Sequence, residues 1–180
     1  MKSIATSLPG VLLLEPRIFK DDRGFFLESY NEKVFVDLGI GERFVQDNHS
    51  FSKQNVVRGL HYQAVHPQGK LVRAVTGEIF DVAVDLRRSS STFGRWCGEI
   101  LSAENKRMLW IPAGFAHGFS VLSRDAQVLY KATDFYHPES ERTVLWNDSK
   151  LGIDWRLKGE AIVSAKDQLG VSFQDAESSA

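Results

Sequence analysis

Hydrophobic residues recur mostly at every second position along this chain, which is the spacing of β-strands and not of helices. Segments 11–19, 25–30, 44–51, 70–75, 79–86, 96–101, 108–111, 117–122 and 127–136 read as strands, rich in Val, Ile, Leu and aromatic residues. Turn signals separate them: Asp21-Asp22-Arg23-Gly24, Thr76-Gly77-Glu78, Arg88 to Thr92, Ala103-Glu104-Asn105-Lys106 and Ser123-Arg124-Asp125. The repeat of strand and turn lies near the roughly 8–12 residues of a β-sandwich or barrel. Residues 70–86 give the clearest hairpin: Leu71, Arg73 and Val75 alternate with Val72 and Ala74, and Phe80, Val82, Val84 and Leu86 with Asp81, Ala83 and Asp85, about a turn at Gly77. One short helix is expected at 31–38, capped by Asn31, striped by Val34, Phe35 and Leu38, and stopped at Gly39. Segment 151–170 holds short helical pieces, and 174–180 reads as a frayed tail.

At 180 residues the chain suits one domain over 1–180, long enough to bury a full core without staples. Lys plus Arg number 22 and Asp plus Glu 23, a net charge of −1. That balance argues against a nucleic-acid partner or membrane-surface binding, and leaves any anion site to a local cluster of cations. Cys97 is the single cysteine, so neither an internal disulfide nor a cysteine-based zinc site is available, in keeping with a reducing cytoplasm. The apolar run Val11-Leu12-Leu13-Leu14 is too short for a secretory signal or a membrane span.

Two of the five histidines stand in unusual company. His61 lies in Arg58-Gly59-Leu60-His61-Tyr62-Gln63; in an extended chain Arg58 and Leu60 face one way and Gly59, His61 and Gln63 the other. Histidine titrates near neutrality, which makes His61 a candidate general base, beside the plainer role of a strand residue bonded to backbone. His117 lies in Ile111-Pro112-Ala113-Gly114-Phe115-Ala116-His117-Gly118-Phe119, and this Pro-x-Gly-x-x-His pattern resembles the second motif of the cupins, which are double-stranded β-helix (jelly-roll) barrels. The metal-ligand positions of that superfamily are not kept. Gln63 stands where a second histidine belongs, Lys70 where a carboxylate belongs, and Val121 four residues after His117. With roughly three protein ligands needed for a divalent ion, a metal-free site is expected and a metal-dependent oxygenase disfavoured.

With further blocks the resemblance narrows. Asp22-Arg23-Gly24-Phe25-Phe26 with Glu28, Gln46-Asp47-Asn48-His49-Ser50, Arg58 to Gln63, Gln68-Gly69-Lys70, Gly77 to Asp85, Ile111 to Phe119, Tyr130-Lys131 and Lys166-Asp167 run in order from about residue 20 to 170. Together they resemble the dTDP-4-dehydrorhamnose 3,5-epimerase family, metal-free cupins of dTDP-L-rhamnose biosynthesis. The resemblance implies an all-β jelly-roll barrel with a few short helices, no cofactor, and a dTDP-4-keto-6-deoxyhexose substrate epimerised at carbons 3 and 5 through an enolate. His61 matches the family's base, Asp167 its partner carboxylate, Tyr130 the proton donor and Lys70 the cation at the keto oxygen. Arg58, Arg23 and Lys166 match positions around the diphosphate. His117, Glu28, Gln46 and Asn48 match sugar or nucleotide contacts, Asp47 and Phe25 lie in the same blocks, and Glu141 matches another binding position. Tyr136 offers a face for thymine. The resemblance also implies a homodimer in which an N-terminal strand joins the partner's sheet, so residues around 19–28 can belong to the neighbour's site; the apolar strand at 11–19 suits that exchange. Epimerases that invert one centre only, ketoisomerases of related keto sugars and non-catalytic nucleotide-sugar-binding cupins stand as alternatives.

Overall fold

The computed structural model describes residues 1–176, and the chain folds into two facing antiparallel sheets. Edge to edge, the first sheet runs β1 (Lys2–Ala5), β2 (Leu12–Glu15), β10 (Met108–Ile111), β7 (Lys70–Thr76), β12 (Asp125–Ala132) and β5 (Gln46–Lys53). The second runs β13 (Glu141–Thr143), β6 (Val56–Gln63), β11 (Phe115–Val121), β8 (Glu78–Asp85) and β9 (Trp96–Ser102), with the short β14 (Ile162–Val163) added parallel to β6. This is the jelly-roll architecture that the strand spacing and the cupin motif imply.

The inner faces meet in a core that takes Leu13, Val72, Ala74, Leu109 and Val128 from the first sheet and Ile79, Ala83, Leu101, Phe115 and Val121 from the second. Both outer faces are also covered. Helix α1 (Glu32–Asp37), capped where Asn31 accepts from the Val34 amide, lays Phe35 with Ile40 over Leu14, Leu71, Met108 and Trp110. The segment after residue 143 lays Val144, Leu151 and Trp155 over Leu60, Phe80, Val82 and Val84. Strand β8 is therefore buried on both faces, which is why its apolar run is nearly continuous.

Several expectations give way. Strands β7 and β8 do not form a hairpin: β7 pairs with β10 and β12, whereas β8 pairs with β9 and β11. Alternation records which face is inward but not which sheet a strand joins. At the crossing Gly77 has φ +71°, and a Cβ there would stand 2.0 Å from the Asp125 carbonyl oxygen, so the chain passes between sheets where no side chain fits. The 11–19 run is two strands: β2 lies between β1 and β10 of its own chain, and beyond Pro16 the chain forms a separate hairpin of β3 (Ile18–Asp21) and β4 (Gly24–Leu27). The expected 127–136 strand ends at Ala132, leaving Tyr136 on a loop. The tail is ordered further than expected, with a 3₁₀ turn at Phe173–Asp175 and Ala176 buried; the rest of that expectation lies outside the described residues.

Candidate active site

Where the sheets part beyond the core, an open cavity of about 240 Å³ is lined by Ser50, Arg58, His61, Gln63, Gln68, Lys70, His117, Tyr130, Tyr136 and Glu141, with Tyr62, Gly118 and Phe119. This is below the roughly 300–1,000 Å³ of most ligand sites, so a ligand larger than a single sugar ring has to run out over the rim.

His61 enters the cavity because β6 is irregular. The pairing of β6 with β11 slips between His117 and Phe119, and Gly59 has φ +108°. A Cβ on Gly59 would meet the His117 carbonyl oxygen at 2.5 Å and Gly118 Cα at 2.7 Å. The irregularity breaks the two-residue alternation, so Arg58 and His61 line the same cavity while Leu60 points into the outer core. The expectation that Arg58 and His61 face opposite ways is therefore corrected.

His61 Nε2 lies 2.6 Å from Asp167 Oδ1, across 106 residues of sequence. Asp167 is buried behind the imidazole in α2 (Ala165–Gln168), whose cap is Ser164 Oγ accepting from the Asp167 amide at 3.1 Å. Its other oxygen accepts from the Gly59 amide at 3.2 Å, which ties the carboxylate to the irregularity that aims the histidine. Burial alone would raise the Asp167 carboxyl, but these hydrogen bonds and the nearby imidazole hold it below its ordinary range. An ionised carboxylate only accepts, so Nε2 carries the proton and Nδ1 is left as the basic nitrogen.

Tyr130 faces His61 from the other sheet: it lies on β12, opposite Asn48 of β5 and Val72 of β7. Burial, and then the charge of Glu141, push its phenol above the ordinary tyrosine range, so it keeps its proton at neutral pH. Lys70 opens β7 with only 8% of its surface exposed, and its ammonium donates to the His61 carbonyl oxygen at 3.4 Å. Burial lowers it to about 8, against the opposing pull of Glu141 and Asp81. A cation that is barely solvated and donates one long hydrogen bond to a neutral carbonyl is poised for an anionic partner.

The remaining expected residues divide. His117 sits in the cavity with Nε2 2.8 Å from Oδ1 of the fully buried Asp81. Arg58 is braced by donating to Ser52 Oγ at 2.9 Å and to the Phe51 carbonyl at 3.2 Å. At the rim, Tyr136 donates its hydroxyl to Glu141 Oε2 at 2.6 Å, and Glu141 also contacts the Lys166 ammonium directly. Hydrogen bonding to Glu141 raises the Tyr136 phenol and the Lys166 ammonium alike. Gln46 accepts from the Tyr136 amide and donates to Asn48 Oδ1, both at 3.0 Å, so these two stand beside Tyr136 rather than in the cavity. Asp47 points away from the cavity and pairs with Lys131 at 3.1 Å. Arg23, Phe25 and Glu28 are also outside it. Arg23 pairs with Asp21 at the exposed tip of the β3–β4 hairpin, Phe25 lies under the Lys106 ammonium at 4.0 Å, and Glu28 accepts from Asn31. Sequence reasoning gave no role to Asp81 or Gln63. The signals were an inward polar residue in an otherwise apolar strand pattern and a place inside the motif blocks Arg58 to Gln63 and Gly77 to Asp85, neither of which names a role.

Fold and site together define a class: a jelly-roll barrel whose cavity sets a histidine–carboxylate pair and a phenol on opposed walls with a buried ammonium, equipment for moving protons on a polar ligand. Among the described residues no group of three or more His, Cys, Asp or Glu side chains is arranged to hold a metal ion. The family model for dTDP-4-dehydrorhamnose 3,5-epimerase matches residues 5–175. The chain is 60% identical over 178 residues to dTDP-4-dehydrorhamnose 3,5-epimerase of Pseudomonas aeruginosa, covering 98% of each. It superposes with a TM-score of 0.95 on dTDP-6-deoxy-D-glucose-3,5-epimerase of Legionella pneumophila in complex with dTDP-4-keto-L-rhamnose, at 51% identity over 97% of this chain and 93% of that one. A 3'-monoepimerase of Streptomyces bikiniensis in complex with dTDP-quinovose superposes at 0.89, with 32% identity over 96% and 88%. The chain belongs to the dTDP-4-dehydrorhamnose 3,5-epimerase family.

Proposed function

We propose that this protein epimerises dTDP-4-dehydro-6-deoxy-D-glucose at carbons 3 and 5, giving dTDP-4-dehydro-L-rhamnose in dTDP-L-rhamnose biosynthesis. The observation that carries the reading is the pairing of opposite walls: His61 with its buried carboxylate on one sheet, Tyr130 on the other, and Lys70 in the same cavity. The hydrogens on carbons 3 and 5 flank the 4-keto group and are weakly acidic. His61 Nδ1 takes one as a proton, the C–H electron pair moves into the ring, and the carbonyl becomes an enolate. The Lys70 ammonium meets the negative charge on that oxygen; losing one such donor in other enzymes costs roughly 3–4 kcal/mol. Tyr130 returns a proton to the opposite face of the same carbon, which inverts it. Asp167 fixes the imidazole tautomer and steadies the imidazolium.

The sugar occupies the cavity and the nucleotide runs over the rim. Arg58 and Lys166, with Arg23, neutralise the diphosphate, a task suited to forked and point cations. Tyr136 stacks on thymine, with Gln46, Asn48 and Glu141 around it and His117 against the sugar. The chain works as one domain, in the cytoplasm, and as a homodimer. Its exposed β3–β4 hairpin, with Phe26 69% exposed, supports the dimer: it extends Arg23, Phe25 and Glu28 away from the chain's own cavity, where they can serve a partner's. The strand that leaves is 18–27, since 12–15 is committed to its own sheet.

Incubation with the keto sugar in deuterated water tests the reading. Deuterium is expected at carbons 3 and 5, and reduction of the product with NADPH by the following enzyme yields dTDP-L-rhamnose. The fold shared with a 3'-monoepimerase makes single inversion the second reading, and label at one carbon only would select it. No label at either carbon would leave a binding protein.

A further inference from the structure

We propose that Gln63 is a positioning residue for nucleotide binding: from inside the barrel it holds Tyr136 at the mouth of the cavity. Gln63 ends β6, is 4% exposed and lines the cavity wall. Its carboxamide is spent on the backbone of two rim segments. Nε2 donates to the His66 carbonyl at 2.6 Å and to the Phe135 carbonyl at 3.2 Å, and Oε1 accepts from the His137 amide at 2.7 Å. Phe135 and His137 are the two neighbours of Tyr136, so one buried side chain grips the loop on both sides of the aromatic.

Gln68, which also lines the cavity, holds the start of that loop by donating to the Asp134 carbonyl at 2.8 Å, but Gln63 alone of the two grips the residues on either side of Tyr136. Residues 135–137 lie outside any helix or strand, and Tyr136 is 49% exposed. Its other ties, to Gln46 and Glu141, are made with side chains of the rim itself. Gln63 also spans the gap between the two segments, and above it the His66 and His137 rings stack with centroids 4.3 Å apart. A donor pair and an acceptor on one planar amide set the spacing of the segments, which neither a carboxylate nor an aliphatic side chain of that length can do. A loop held before the ligand arrives loses less freedom on binding, so the benefit falls on affinity and not on the chemical step.

The inference rests on the nucleotide-sugar reading, and dTDP alone is the probe that separates the two. Calorimetry is run on wild type, Gln63→Leu, Tyr136→Ala and the double variant, with kcat measured on the keto sugar. Wild type is expected to bind dTDP. Gln63→Leu is expected to weaken dTDP roughly tenfold, the scale of stranded buried hydrogen-bonding groups, with kcat within about twofold. Added to Tyr136→Ala it should weaken binding no further, because the residue it acts through is already gone. Gln63→Glu keeps the acceptor for the His137 amide but sets its second oxygen against the His66 and Phe135 carbonyls, so it should lose at least as much, with the same coupling; it also serves if the leucine variant does not fold. The proposal is overturned if the folded variants bind dTDP as wild type does, if the losses add to that of Tyr136→Ala, or if kcat falls while affinity holds. Failure of both variants to fold would make Gln63 a residue of stability and overturn it equally. Wild type that fails to bind dTDP would instead overturn the nucleotide-sugar reading.

Discussion

A buried lysine at about 8 in the cavity wall sets two trends against each other. Its folded value lies below the ordinary 10.5, so between those limits the unfolded chain binds the extra proton and stability from this group rises with pH. Below about 8 both states are protonated and burying the ammonium costs the fold on the order of 3 kcal/mol. Activity that needs the ammonium runs the other way and falls as pH rises through about 8. Lys70→Met is expected to abolish turnover while raising the thermal midpoint by a few degrees at pH 7, measured by calorimetry; a lower midpoint would show that the ammonium contributes to stability. His61→Asn should keep dTDP affinity within a few fold and reduce turnover by roughly 10²-fold or more. Near-normal turnover in that variant would remove His61 from the mechanism. His61, Tyr130, Lys70 and Asp167 were all legible from motif blocks, because each block is short and carries its own residue types. What joins them was legible only through the resemblance, which makes Asp167 the partner of His61: no local pattern says that residue 167 will stand 2.6 Å from residue 61, since a closing helix and an irregular strand bring them together.

At the level of elements, β6 has the greatest influence on the site. Gly59 permits the slip that turns both Arg58 and His61 inward, and its neighbours leave no room for a side chain. Gly59→Ala is expected to cost at least about 2–3 kcal/mol in chemical denaturation and to reduce turnover more than nucleotide binding, because the aim of His61 changes first. An unchanged denaturation midpoint would show that the strand absorbs the methyl group. The strand is also where sequence reasoning was weakest. A regular period of two is assumed whenever faces are assigned, and a glycine at φ +108° cancels that assumption without leaving an apolar signature. Strand existence was well marked, as β7, β8, β9 and β10 show, whereas strand partners were not. The 70–86 segment looked like a hairpin because its turn residue is a glycine, yet the same glycine lets the chain cross between sheets.

For the whole molecule, the hairpin tip and the cavity belong to different protomers in the proposed dimer. Two inactive variants can then repair one another. Arg23→Ala lacks the group it lends, and His61→Asn lacks the group it keeps. In a mixed dimer the site that retains His61 receives Arg23 from its neighbour. Mixing the two after subunit exchange is expected to restore roughly a quarter of wild-type activity, one good site in half of the dimers. No recovery in a mixture shown by sedimentation to contain dimers would place Arg23 in its own chain's site, and a monomer in solution would remove the dimer altogether.

His61 and Tyr130, the groups proposed to move protons, belong to separate sheets, so their separation follows the spacing of the sheets, which the neighbouring core residues hold at roughly the 10 Å of a sandwich. Loops can lengthen and rims can be rebuilt without altering that spacing. A lineage diversifying its stereochemistry on such a frame keeps the walls and edits the doorway, and its members drift apart in sequence far faster than in shape.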